Sequence, residues 1–439
     1  MNKKIAVIGS GMAGLVSGWL CREAGAEVTI LEANTTRGMD SYTQFLNIDG
    51  GESEYVDVPL RVMSPHAWPS VLELCEKLGV QTYEVDTQVA CSWLNSKTWF
   101  RSSKIKFGSK IFPFAPLNYL LSMETYRIIL GFIRLYRSSP EVLDSDLTLK
   151  EFAEQHRVDP LFWKGLIYPL LTNICTSDEK TIDEWPAKQI LNLLQKIVFG
   201  ARLRRIQGGT KMLAKKLGEG LNWQCGTRVE KLIEKSTEIF LHSKNTKLGP
   251  FDFVICAVQA NQINFLPRKY TREIKVLNAF PYDSGTLWVH RDMRFMPRMK
   301  KDWSPIHYQI DKNLNRSMFS VWVNPIEPSI VNHEPILQTW NPLFEPKSKN
   351  VVVAVPMERA VVNNSNENLI NELDILQKLP SRKVFFCGSY AASGVPLLES
   401  ATRSAIKVVC QLGIETSLKG NYKNPSQASF GETSSYLAA

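Results

Sequence analysis

The chain carries no Cys-x-x-Cys pair, no His-x-x-x-His or His-Glu-x-x-His spacing, and no basic run longer than three residues. It also lacks any stretch of about 18 uninterrupted apolar residues, which argues against a spanning helix. The eight cysteines have no regular spacing, and several sit in apolar runs such as Ile255-Cys256-Ala257 and Phe386-Cys387-Gly388. There cysteine acts as a small hydrophobe, so a reducing compartment fits better than a disulfide framework. Six scattered histidines give no metal-ligand pattern, and no metal is expected. Without a zinc finger or a basic helix, the net charge of +9 is not an argument for nucleic acid. An anionic membrane surface or an acidic small molecule remains compatible with it. No internal repeat and no Ser/His/Asp set is legible.

At 439 residues, 44% hydrophobic and 22% charged, the chain has room for two or three domains with real cores. Met1-Asn2-Lys3-Lys4 before an apolar stretch superficially resembles a secretory signal. Gly9-Ser10-Gly11 interrupts that stretch, and Arg22 and Glu23 follow, so residues 4–8 read as a buried strand. The expected location is cytoplasmic.

Lys4–Ile8, Met12–Ala24 and Glu27–Leu31 read as strand, helix and strand, with Gly25 as the left-handed cap. Such a unit implies a parallel sheet. Residues 68–78 read as a helix closed by Gly79. Thr148 with Glu151 forms a capping-box pattern. Helical periodicity covers Leu161–Leu171 and Pro186–Phe199, and Gly208-Gly209 opens a helix over Met212–Leu217. Thr286–His290, Ile306–Ile310 and Met318–Val323 read as a separate antiparallel sheet. Lys383–Cys387 reads as one more buried strand and Leu397–Leu412 as one more helix. The polar tail from Lys419 reads as disordered.

Gly9-Ser10-Gly11-Met12-Ala13-Gly14 matches the dinucleotide-binding pattern Gly-x-Gly-x-x-Gly in its proper context. It follows a strand and opens a helix, and Glu32 ends the next strand. Gly9 permits the tight turn, Gly11 lets a pyrophosphate approach, and Gly14 lets helix and strand pack closely. The phosphates would meet unpaired N–H groups at the helix start, and Glu32 the adenosine ribose. NAD and FAD share this pattern, so it does not choose between them.

A resemblance carried by further segments does. Glu32-Ala33 leads to Arg37-Gly38, and Gln207-Gly208-Gly209 precedes a helix. Thr227-Arg228-Val229 precedes Phe253–Ala257, and Phe385-Phe386-Cys387-Gly388 runs to Gly394 and the last helix. In this the chain resembles the flavin-containing amine oxidase and phytoene desaturase superfamily over roughly residues 4–412. Tyr168-Pro169-Leu170, Trp185-Pro186-Ala187, Phe280-Pro281-Tyr282, His290-Arg291-Asp292 and Met296-Pro297 make it most similar to the bacterial branch called predicted NAD/FAD-binding proteins. The resemblance implies an α/β, two-dinucleotide-binding-domain flavoprotein fold with a Rossmann-like FAD domain and an interwoven α+β substrate domain. The FAD domain would comprise 1–67, 200–260 and 380–415, and the substrate domain 68–199 and 261–379. It also implies non-covalent FAD, held by Gly9, Gly11, Met12, Ala13, Gly14, Glu32, Ala33, Gly38, Val229, Gly388 and Ser389. Three positions depart from the superfamily: Met39 and Asp40 replace a glycine and an arginine, and Ser389 replaces an acid.

A single dinucleotide pattern favours oxidation of an organic substrate, or a redox-neutral isomerisation, over reduction by NAD(P)H. No catalytic residue is assigned. Candidates for the substrate face are His290, Trp303, His307, Tyr308 and Trp340, although each reads more readily as a packed core residue. Two readings stay open: an FAD-dependent oxidase, desaturase or isomerase of a hydrophobic or amine small molecule, and a degenerate relative with a structural or absent dinucleotide. The oligomeric state is not readable. From Ser103 to Arg137 basic residues interleave with Phe112, Phe114, Leu117, Leu120, Ile129 and Phe132. That is the composition of an interfacial helix and suggests peripheral membrane contact, although the same residues would also pack a helical domain.

Overall fold

In the first strand, β1 (Lys4–Ile8), Ile5 and Val7 enter one core while Ala6 and Ile8 enter another. A strand apolar on both faces belongs in the middle of a covered parallel sheet, and that is where the computed structural model has it. The structure describes residues 3–418 except 40–42, 48–52, 108–109, 115, 117–118, 120, 145, 236, 245, 362, 364 and 417. Asp40 and the tail from Lys419 therefore lie outside the described residues.

Helix α1 (Met12–Glu23) ends at Ala24, with Gly25 at φ +83°, and the chain returns as β2 (Glu27–Glu32). The sheet runs Asn222–Cys225, β2, β1, Phe253–Cys256, Val384–Phe386, with all neighbours parallel. Successive strands leave β1 first on one side and later on the other. This makes the carboxyl end of β1 the switch point where such sheets bind ligands. α1 and the helices Pro69–Lys77, Thr210–Gly218 and Leu398–Gln411 cover one face. The hairpin layer 231–251 and the helices Thr271–Ala279 and Asn366–Gln377 cover the other. Cys256 and Cys387 are buried in these layers, and burial pushes the Cys387 thiol up to about 12, so it stays protonated.

The second sheet has seven strands in the order Val351–Ala360, Tyr282–His290, Leu337–Trp340, Ser317–Trp322, Ile306–Ile310, Val89–Trp93, Thr98–Arg101. It is mixed rather than purely antiparallel, because Ile306–Ile310 pairs parallel with Val89–Trp93. The short, broken apolar alternation of residues 89–101 hid these strands from the sequence reading. Trp163–Ile167 forms a π-helical turn between helical pieces, so the 160–175 region is one interrupted helix. The capping box forms as expected: Thr148 Oγ1 accepts from Glu151 N at 3.2 Å, and Glu151 Oε2 accepts from Thr148 N at 2.9 Å.

The 103–137 segment is not one helix, as the interfacial reading of it supposes. Ser103–Phe107 and Lys110–Phe114 form an antiparallel hairpin, and Met123–Arg137 forms a helix. The physical reason is period: Lys104-Ile105-Lys106-Phe107 alternates every second residue, which suits a strand. The side chains of Phe112 and Phe114 lie outside the described residues. Among the described residues, no helix is long and apolar enough to cross a membrane.

Candidate dinucleotide and substrate site

Each glycine of the N-terminal turn meets a different constraint. Gly9 has φ +96°, and a Cβ there would stand 2.8 Å from Ala257 O. A Cβ on Gly14 would stand 2.0 Å from Gly9 O, so helix and strand touch backbone to backbone. Gly11 differs: its φ of −67° suits any residue, and its Cβ would meet nothing within 4 Å. Among the described residues no side chain caps α1, and its first turn holds no acid, so no side chain there satisfies its leading N–H groups. An uncapped helix start beside an open glycine fits the pyrophosphate of a dinucleotide.

Glu32 closes the site from the end of β2, and Ser10 ties it there. Glu32 Oε2 accepts from Ser10 N at 3.1 Å and from Ser10 Oγ at 2.5 Å, while Oε1 accepts from Asn34 N at 2.8 Å. Ser10 Oγ also accepts from Gly38 N at 3.0 Å. One hydroxyl thus joins the glycine turn, the acid and the Arg37-Gly38 segment. Sequence reasoning missed this role, although a hydroxyl inside the glycine turn opposite an acid was the available signal. Met12 and Ala13 begin α1 and are buried, Ala33 is exposed beside Glu32, and Met39 is buried in the α1 core. Thr227 N donates to Glu32 O at 2.8 Å, which brings the Val229 segment to the end of β2.

Gly388 and Ser389 lie two strands away. Gly388 N donates to Ser404 Oγ at 3.0 Å. Ser389 lines a small cleft with Gln189, Glu367, Gly394 and Pro396, and no residue of the glycine turn reaches that cleft.

A buried brace connects this region to the second sheet. Asp57 accepts from Thr210 N and Oγ1 at 3.1 and 2.9 Å, capping the helix that packs on α1. Arg205 donates to Asp57 at 3.2 Å and to Glu327 at 2.5 and 2.9 Å, with all three side chains buried. Gln338 of the second sheet donates to Asp57 O and accepts from Leu60 N, each at 2.7 Å.

The five substrate-face candidates do not converge. Strand register puts Tyr308 and Trp340 on the sheet face that carries Gln338, toward residues 56–60 and the helical layer. Trp340 is buried with no hydrogen-bond partner for Nε1 among the described residues. His290 and His307 occupy the opposite face, and Trp303 covers that face, packed edge-on to Trp322 at 5.2 Å.

Both histidines are fully engaged as neutral rings. His307 Nδ1 donates to Phe295 O at 2.6 Å, leaving Nε2 to accept from Ser92 Oγ at 2.9 Å. His290 Nδ1 accepts from Asp292 N at 3.2 Å, and Nε2 donates to Thr339 Oγ1 at 3.1 Å. Burial pushes each pKa down from 6.5 to about 4. The unfolded chain therefore binds more protons between those values, and stability is lost as pH falls from about 6.5 to about 4. Each ring contributes roughly 3 kcal/mol at most to that loss. The urea midpoint should drop between pH 7 and pH 5, and the drop should shrink in a His290→Gln/His307→Gln variant. An equal drop in parent and variant would refute the assignment.

An open glycine turn and an uncapped helix start at the switch point of a parallel sheet, braced against a mixed sheet and a helical layer, make up an α/β fold of flavoprotein type. The chain belongs to the flavin containing amine oxidoreductase family, whose profile matches residues 12–298. The family is flavin containing, and the chain keeps the uncapped helix start that would hold the pyrophosphate of FAD. Over 93 residues it is 38% identical to an L-glutamate oxidase precursor from Streptomyces diastatochromogenes, covering 19% of this chain and 14% of that relative. The chain thus matches only a small part of that protein's length. Putrescine oxidase is similar in structure, with a TM-score of 0.63 at 13% identity over 94% of this chain and 100% of the other. A CLA-producing fatty acid isomerase from P. acnes gives a TM-score of 0.62 at 13% identity over 93% and 98%. At such identities these likenesses speak for the fold alone.

Proposed function

We propose that the chain takes a hydride from an organic, hydrophobic or amine, small molecule, as an oxidase, desaturase or isomerase. The open, uncapped start of α1 beside Gly11 is the observation that carries this reading. Gly9, Gly11, Met12, Ala13 and Gly14 hold the pyrophosphate, Glu32 the adenosine ribose, and Ala33, Gly38 and Val229 flank them. Gly388 and Ser389 belong to the flavin end. Bound FAD supplies the hydride acceptor at its N5 atom. The protein's own part is to position the substrate and exclude water.

Within the substrate region (68–199 and 261–379), Tyr308 and Trp340 are the candidates retained for the substrate face. Their sheet face meets residues 56–60, whereas His290, His307 and Trp303 serve the packing of the far face. The protein acts in the cytoplasm and makes peripheral membrane contact through residues 103–137. Anaerobic mixing of the purified protein with amines, fatty acyl chains and polyenes tests the catalytic reading. Bleaching of the flavin by one class, or conversion of one to an isomer, is expected. If all three leave the flavin oxidised and are recovered unchanged, the reading fails.

A further inference from the structure

The helix Met123–Arg137 has one face built for packing and one left in solvent. Thr125, Ile128, Gly131 and Leu135 are buried. A Cβ on Gly131 would stand 2.2 Å from the Phe162 ring, so the helix is pressed against its neighbour and cannot roll to hide its other side. That other side exposes Met123 (70%), Tyr126 (55%), Ile129, Ile133 and Tyr136 (67%), and Leu121 (93%) precedes it. The spacing of three, three, four and three residues makes this one continuous stripe, about 20 Å long. Half-exposed Phe199 extends the stripe, packing edge-on to Tyr136 at 5.2 Å.

We propose that this stripe is a membrane-docking surface that seats the protein on an anionic bilayer. The proposal rests on the peripheral contact proposed above and narrows it to one helix face. Charge selects the occupant. Arg134 and Arg137 are exposed at the end of the stripe, and Glu124 is the helix's single acid. Apolar side chains sinking into the acyl boundary beside arginines at headgroup level are the mark of an interfacial helix. Tyrosines at positions 126 and 136 suit the same depth, where one end of the ring is apolar and the other wet.

Flotation of the full chain with phosphatidylcholine vesicles, with and without phosphatidylserine, tests this. The parent should float with the anionic vesicles at low salt. Tyr126→Ser/Ile133→Ser should reduce partitioning at least tenfold with unchanged circular dichroism. Arg134→Gln/Arg137→Gln should reduce it roughly 30-fold, at about 1 kcal/mol per basic residue. Ile375→Ser, on the exposed side of a distant helix, should change nothing. If the parent stays at the bottom, the contact reading itself falls. If the parent floats and the Tyr126/Ile133 variant floats equally, contact stands but this helix face is the wrong one. If the parent is a dimer without lipid and that variant is a monomer, the stripe is a self-association surface and the proposal is overturned.

Discussion

A Gly11→Val protein is expected to fold like the parent and to be purified without flavin. Gly11 has an extended-region backbone that valine adopts freely, and the direction its side chain would take is empty within 4 Å. The added methyl groups would fill open space beside the uncapped start of α1. Overfilling a fitted site costs about 1–3 kcal/mol, and losing charge-assisted hydrogen bonds to phosphate adds a similar amount. FAD affinity should therefore fall by at least about 100-fold. Flavin absorbance per protein and a titration of the apoprotein read this directly, with circular dichroism as the control for folding. Stoichiometric flavin in the variant would place the dinucleotide elsewhere. Gly14→Ala should behave in the opposite manner, losing stability first, since its Cβ collides with the backbone of Gly9.

Arg205→Ala should be among the most destabilising single substitutions in the chain. Arg205 is 1% exposed and serves Asp57 and Glu327, themselves buried. Its removal leaves two carboxylates facing each other's field without a cation, at a cost of about 3–5 kcal/mol. Denaturant unfolding should show the loss. Arg205→Met/Glu327→Leu should recover much of it, because an apolar pair replaces an ionic one. Asp57 must be kept, since it also caps the Thr210–Gly218 helix. A midpoint unchanged in Arg205→Ala would mean that the brace contributes nothing.

The first sheet was legible because its information is local. β1, α1 and β2 carry their glycines, periodicity and acid within residues 4–32, and Val384–Phe386 announces itself as a buried apolar run. Asn222–Cys225 was harder, because as an edge strand it alternates exposed and half-buried side chains. Arg205 was invisible for another reason. In sequence it is one of two adjacent arginines, and only the assembly of residues 57, 205 and 327 makes it a buried cation. For the histidines, alternation in a strand names two faces without saying which one meets the site. His307 and Tyr308 are neighbours in sequence and look in opposite directions.

The parallel sheet gathers strands from the very start and nearly the end of the chain. During synthesis, β1 emerges more than 370 residues before Val384–Phe386. At 5–20 residues per second that is a wait of roughly 20–75 s. Once the Phe253–Cys256 strand is made, its outer edge stays open until Val384–Phe386 follows, and the helix Leu398–Gln411 is later still in covering α1. The nascent chain therefore shows the ribosome's surroundings an incomplete apolar sheet until residues 384–411 are made. Truncation after residue 380 should give an aggregating product held by chaperones rather than a smaller soluble enzyme.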